Sequence, residues 1–149
     1  MTTIKFLVPG LPVGKKAPNV LRRPNFKYPV AITPAATVNY EALVKMSAKA
    51  AMGNLPPYAL GVPLSLRLEI TLPVPGSWSD RKRTRALSGE IRPTSKPDCT
   101  NVLKSIEDGM AQVVFANDSA IVEQSIAKRY GANPGVLVEV YPLALGAAA

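Results

Sequence analysis

Lys96-Pro97-Asp98-Cys99-Thr100-Asn101-Val102-Leu103-Lys104-Ser105-Ile106-Glu107-Asp108-Gly109-Met110 runs on into Val113-Val114-Phe115-Ala116-Asn117-Asp118, and this stretch organises the chain. Advancing by ~100° per residue from Asp98, the apolar Cys99, Val102, Leu103, Ile106, Met110 and Val113 share one stripe, as a core-facing helix requires. Asp98, Asn101, Lys104, Ser105 and Asp108 then fall on the opposite arc. Pro97 disfavours the α region at Lys96, so the helix is predicted to start at or just after Asp98, whose carboxylate stands near the positive end of the dipole. Asp98 read alone serves equally well as an ordinary N-cap. Glu107 lies at the edge of the apolar stripe, and Asp108 sits ~15 Å along the axis from Asp98, which suits a structural role.

The order K-P-D-x-x-N-x-x-K-x-x-x-D, then an Asn117-Asp118 turn near a strand start, then Lys128-Arg129-Tyr130-Gly131, resembles the RusA family of Holliday junction resolvases. The likeness is close from Lys96 to about Tyr141 and holds elsewhere in outline. The family pairs a D-x-D-N-x-x-K helix start with a D-D turn, its acids holding a divalent metal and its lysine serving catalysis. By position the resemblance implies Asp98 and Asp118 as metal ligands, Lys104 as the catalytic lysine and Asn101 as the matching asparagine. Thr100 stands where the second aspartate is usual, and Asn117 where the turn pair has its first acid. Glu123, five residues after Asp118, is a candidate replacement ligand. The family also implies a homodimer, which suits the two equivalent strands of a four-way junction.

Composition limits the chemistry independently. The chain has no histidine and a single cysteine. A zinc site or a histidine base therefore lacks raw material, and any metal must be held by oxygen, which points to Mg²⁺ or Mn²⁺. Cys99 lies on the apolar stripe and reads as a small buried hydrophobe. The net charge of +8 is unevenly spread: residues 1–97 carry 15 Lys/Arg against 4 acids, and residues 98–149 carry 3 against 6. A basic body leading to a local acidic site suits a metal-dependent nuclease acting on a polyanion.

At 149 residues and 47% hydrophobic content the chain is expected to form one domain, residues 1–142, with a disordered tail over 143–149. Met1 to Phe6 lacks the apolar core of a secretion signal and no run of about 18 apolar residues occurs, so a soluble cytoplasmic protein with no membrane contact is expected. Ile4, Phe6 and Val8 alternate with Thr3, Lys5 and Leu7 as a first strand ended by Pro9-Gly10. Leu11 to Pro34, with prolines at 12, 18, 24, 29 and 34, reads as a long loop. Its Lys15, Lys16, Arg22, Arg23 and Lys27, interleaved with Phe26 and Tyr28 and free of acids, suit a DNA backbone, or simply a solvated arm.

Thr33-Pro34 reads as a cap with proline at the first helical position, opening a helix that ends at Gly53. Lys45 and Lys49 fit its solvated edge. Val62 to Leu72 is the clearest strand, with aliphatics at every second position. Pro73 to Pro97 reads as a second irregular, basic segment, whose Arg81, Lys82, Arg83, Arg85 and Lys96 are candidate DNA contacts. Trp78 within it suits either base stacking or burial. Ile121–Tyr130 and Val136–Tyr141, joined by a loop rich in turn formers, read as an antiparallel hairpin. The expected fold is α+β: a small mixed sheet with two helices packed on one face. Three functions stay open: a junction-cutting nuclease, a branched-DNA-binding protein of the same fold without cleavage, and a basic RNA- or ribosome-associated protein.

Overall fold

Strict alternation in Leu64–Leu72 makes this segment the centre of the sheet in the computed structural model, which describes residues 2–22, 24, 25 and 27–144. The element order is β1 (Ile4–Pro9), β2 (Asn19–Leu21), β3 (Val30–Ile32), α1 (Ala35–Met52), β4 (Leu64–Leu72), α2 (Asp80–Leu87), α3 (Cys99–Met110), a 3₁₀ turn (Asp118–Ala120), β5 (Ile121–Tyr130) and β6 (Gly135–Pro142). The main sheet has the order β1-β6-β4-β5, with β4 parallel to β5 and antiparallel to β6.

Every second residue of β1, β4 and β6 is buried on one face, including Val8, Leu66, Leu68, Ile70, Val138 and Val140. That face receives α1 through Tyr40, Val44, Ala48 and Met52, and α3 through Val102, Leu103, Ile106 and Met110, in one continuous core. The other face is polar, with Lys5, Arg67, Glu69 and Glu139 around a shallow depression. The expected α+β sheet with two helices on one face is therefore present, with α2 as a third helix outside that core.

The two layered helices approach closely because of Gly109. A Cβ at this position would stand 2.5 Å from both Cβ and Cγ1 of Val44 and 3.0 Å from the Glu41 carbonyl. Only glycine admits that approach, and it fixes how far α3 lies from α1.

The expected β5–β6 hairpin is not formed. Both strands pair with β4, one on each side: Leu72 with Tyr130 and Thr71 with Gly135. The linking residues 131–134 step over the end of β4, a span of about 10 Å that four residues cover easily. Gly131 N–H donates to the Leu72 carbonyl at 3.0 Å to fasten the step. An apolar central strand with two polar edges satisfies its backbone groups and buries its face only when both sides are paired.

Three further segments depart from expectation. The loop over 11–34 contains a small antiparallel pair, β2 with β3, all of whose strand residues are exposed. Pro34 occupies the cap position of α1 and no side chain caps it, so Thr33 does not act as the cap. Between Pro73 and Pro97 the chain forms α2, capped by Ser79 Oγ, which accepts from Lys82 N–H at 3.2 Å. Leu143 N–H donates to the Pro63 carbonyl at 2.9 Å, so the expected tail is anchored at its first residue. Residues 145–149 of that tail lie outside the described residues, as do Arg23 and Phe26.

Candidate active site

Helix α3 begins at Cys99, and Asp98 holds its cap position in extended backbone geometry. The Asp98 carboxylate does not cap: no side-chain hydrogen bond closes the first turn. Instead it accepts from Asn101 Nδ2 at 3.3 Å. An exposed carboxylate at a helix start, steered by an amide one turn on, keeps lone pairs free for a ligand. Thr100 is exposed in the same first turn.

Two turns along the same face, Lys104 Nζ stands 3.3 Å from Asp118 Oδ2 and 3.3 Å from Asp108 Oδ1. The chain comes back to this point through a tight turn after α3. Gln112, at φ 68°, adopts the left-handed region, and its N–H donates to the Phe115 carbonyl at 2.7 Å while its side-chain amide donates to Ala116 at 2.7 Å. Asn117 Oδ1 then accepts from Ser119 N–H at 3.1 Å and opens the 3₁₀ turn that carries Asp118. Asn117 thus works as a cap, the role its short acceptor suits.

Hydrogen bonds that Lys104 donates to the Asp108 and Asp118 carboxylates raise its pKa, so its ammonium is retained well into alkaline solution. Burial would push Asp108 upward, but Lys15 and Lys104 outweigh it and hold that carboxyl below its usual range. Lys15 Nζ lies 2.7 Å from Asp108 Oδ2 and 2.7 Å from Glu41 Oε1, tying the N-terminal loop to both layered helices. Asp108 is thus ion-paired on both sides, and the half-buried Lys15 ammonium is engaged by Glu41 and Asp108.

Some polar residues lie elsewhere than the helical wheel places them. Ser105 is fully buried, its hydroxyl directed back at the Asn101 carbonyl at 3.4 Å. Its small side chain and local acceptor let it join the core face. Glu107 is buried and accepts from Gln124 Nε2 at 2.7 Å. Burial raises its pKa, and the neighbouring Asp118 charge adds to the shift. Glu123 pairs in register with Ser65, and Gln124 with Leu66. Since Gln124 shares the helix-facing side with Leu66, alternation turns Glu123 to the opposite face of the sheet, away from α3.

The basic candidates fall into separate groups. Lys16 and Lys96 line a cleft beside Asp98. Arg81, Lys82, Arg83 and Arg85 lie on α2, with Arg85 3.1 Å from Glu90 and Arg83 Nη2 3.4 Å from the Pro75 carbonyl. Lys82 Nζ sits 3.9 Å over the Trp78 ring, which meets Tyr130 edge-on at 5.3 Å. Trp78 is thus half-buried and covered on one face, between the two roles considered for it. Arg22 is exposed beside β2, and Lys27 lies 5.7 Å from the Tyr28 ring centre. Sequence reasoning missed the non-local partners Glu41 for Lys15 and Gln124 for Glu107.

The donors around Asp98 and Asp118 are oxygens, as a hard divalent cation requires. Among the described residues no three His, Cys, Asp or Glu side chains gather closely enough to hold an ion by themselves. Mg²⁺ is commonly bound through only one or two carboxylates, and the carboxylates of Asp98 and Asp118 are of the oxygen type it takes. Among the described residues no helix is long and apolar enough to cross a membrane.

The chain is 31% identical over 142 residues to an uncharacterized protein, YqaN, of Bacillus subtilis (strain 168), a match spanning 94% of this chain and 96% of that one. Residues 9–141 match the family model described as endodeoxyribonuclease RusA, so the strands, helices and polar groups above lie almost wholly within the matched region. The chain belongs to the RusA endodeoxyribonuclease family.

Proposed function

We propose that this protein is a Mg²⁺-dependent endonuclease that resolves four-way DNA junctions by paired phosphodiester hydrolysis in recombination and repair, acting as a homodimer. The observation that carries this reading is the meeting of Lys104 with Asp118 at 3.3 Å on the face that also presents Asp98. Family membership supplies the class of reaction.

Asp98 and Asp118 would hold the ion, with Thr100 a weak neutral oxygen nearby. A divalent ion bound there would polarise the phosphodiester and lower the pKa of the attacking water. Asn101 orients Asp98 through its amide. Lys104, kept charged by its two carboxylate neighbours, swings from Asp118 to a non-bridging phosphate oxygen as negative charge builds. Asp108 holds the root of that motion by retaining its own contact with the ammonium. The cations of α2 and of the N-terminal loop bind backbone phosphates and set the junction across the site.

A second reading, a branched-DNA-binding protein that has lost cleavage, is favoured by Thr100 and Asn117 standing at positions where the family carries acids. Incubating a synthetic four-way junction with the protein, with and without Mg²⁺, separates the two. Symmetric incision that requires Mg²⁺ supports the nuclease. Tight binding without incision supports the second reading, and equal affinity for linear RNA removes both.

A further inference from the structure

A cleft of about 160 Å³ opens beside Asp98, between Gly14–Lys16 on one side and Lys96–Asp98 with Asn101 on the other. At roughly 30 Å³ per water it has room for about five waters, the scale of one phosphate group with some hydration and far below that of a base pair.

Both walls are fastened by lysines whose charge is already used. On the first, Lys15 N–H donates to the Asn101 carbonyl at 2.8 Å, and the Lys15 ammonium is held by Glu41 and Asp108. Gly14 permits this docking: a Cβ there would lie 3.0 Å from Asn101 Cβ and 3.5 Å from Pro97 Cβ. On the second wall, Lys128 reaches from β5 and donates to the carbonyls of Ser95 at 2.9 Å and Pro97 at 3.2 Å. Lys15 and Lys128 thus fix the backbone on either side.

Lys16 and Lys96 are different. Both line the cleft and are exposed. Among the described residues, neither pairs with a carboxylate, although Asp98 lies in the same cleft. Two uncommitted cations lining a pre-fastened gap beside Asp98 carry the charge to hold an anion, since the cost of ordering the walls has already been met in folding.

We propose that this cleft is a phosphodiester subsite, in which Lys16 and Lys96 grip the backbone phosphate next to the scissile one while Lys15 and Lys128 act as positioning residues for the walls. The proposal rests on the nuclease reading for the identity of the strand. It also reassigns Lys15, whose ammonium serves the fold, away from DNA contact.

The test joins two measurements on the full chain. Inorganic phosphate is titrated into ¹⁵N-labelled protein while the amides of Gly14, Lys16 and Asn101 are followed by NMR. Affinity for a labelled four-way junction is measured without divalent metal, as a function of salt. The double variant Lys16→Gln/Lys96→Gln is compared with Lys45→Gln/Lys49→Gln, which removes the same charge from the exposed edge of α1. The expected result is saturable phosphate shifts at the three amides, lost in the first double variant and kept in the second. Junction affinity should fall several-fold more in the first, with a salt slope shallower by about two.

Shifts that are absent, or that survive in Lys16→Gln/Lys96→Gln, overturn the subsite. Phosphate shifts with junction binding equally affected by both double variants also overturn it, by assigning the cleft to free anions rather than to a strand. Because binding is measured without metal, a protein that grips junctions through this cleft yet never cuts them sinks the catalytic reading and leaves the subsite standing.

Discussion

Lys104 and Asp118, fourteen residues apart, meet at 3.3 Å because the left-handed turn at Gln112 and the Asn117 cap fold the chain back onto α3. Asp108 takes the other side of the same ammonium at 3.3 Å. One cation therefore stands between an acid of the candidate site and an acid that ties the fold together. A phosphate entering beside Asp118 meets a lysine that is charged and already nearby.

Replacing that lysine should separate chemistry from binding. Lys104→Gln is expected to slow single-turnover junction cleavage by on the order of 10²-fold or more, the loss typical of one donor to a developing oxyanion. Junction affinity should change only a few-fold, since many other cations bind the backbone. A cleavage rate within threefold of wild type would show that Lys104 serves only as an ion-pair partner.

The Asp108 network gives a pH dependence of stability. Its folded pKa lies below the unfolded value of about 3.9, so its stabilisation is present above that value and is lost as pH falls through the folded pKa. Lys15 is raised, so its contribution is present below its unfolded pKa of about 10.4 and is lost as pH rises through the higher folded value. Asp108→Asn should therefore lower the Tm at pH 7 and reduce the further loss between about pH 5 and pH 2. Parallel acid limbs for the variant and the wild type would place that loss on other carboxylates.

Glu107 works in the opposite sense. Its folded pKa is raised by burial, so the neutral form is favoured inside, and the cost of ionising it builds as pH rises above the unfolded value of about 4.3 and is complete above the folded pKa. Glu107→Gln keeps an oxygen for Gln124 to bond and removes the charge. It is expected to raise the Tm at pH 7, with the gain shrinking toward pH 4. A lower Tm at pH 7 would mean that the carboxylate form is needed by the fold.

How much of this was legible in sequence follows from the range of each interaction. The α3 stripe is written in a local period, and Asp98, Asn101 and Lys104 fall on its open side as expected. Helix α2 was hidden because its apolar content is only Ala86 and Leu87, so it has almost no period to detect and its six polar residues resemble a loop. The β5–β6 relation was misread because a turn-rich linker looks the same whether two strands pair directly or step over a third. What decides is the demand of β4 for partners on both sides, a property of the whole sheet. The Lys15 pairs with Glu41 and Asp108 span 26 and 93 residues, and no local pattern announces them.

Thr100 offers a gain-of-function test. A neutral hydroxyl is a weaker ligand for a hard cation than a carboxylate, and an acid in the first turn of α3 suits the helix dipole. Thr100→Asp should lower the Mg²⁺ concentration for half-maximal cleavage severalfold while changing the Tm little. If wild type and variant need the same low Mg²⁺, Thr100 is not a deficient ligand position.

The central claim, that Asp98 and Asp118 form one metal-dependent cutting site, is tested most directly by incubating wild type, Asp98→Asn and Asp118→Asn with a synthetic four-way junction across a Mg²⁺ series, measuring incision and binding on the same samples. The account predicts symmetric, Mg²⁺-dependent incision by wild type and none by either folded variant, with junction affinity unchanged or higher because an acid near phosphate has been removed. Incision by either variant at the wild-type rate, or no incision by the wild type at any Mg²⁺ or Mn²⁺ concentration, would contradict it.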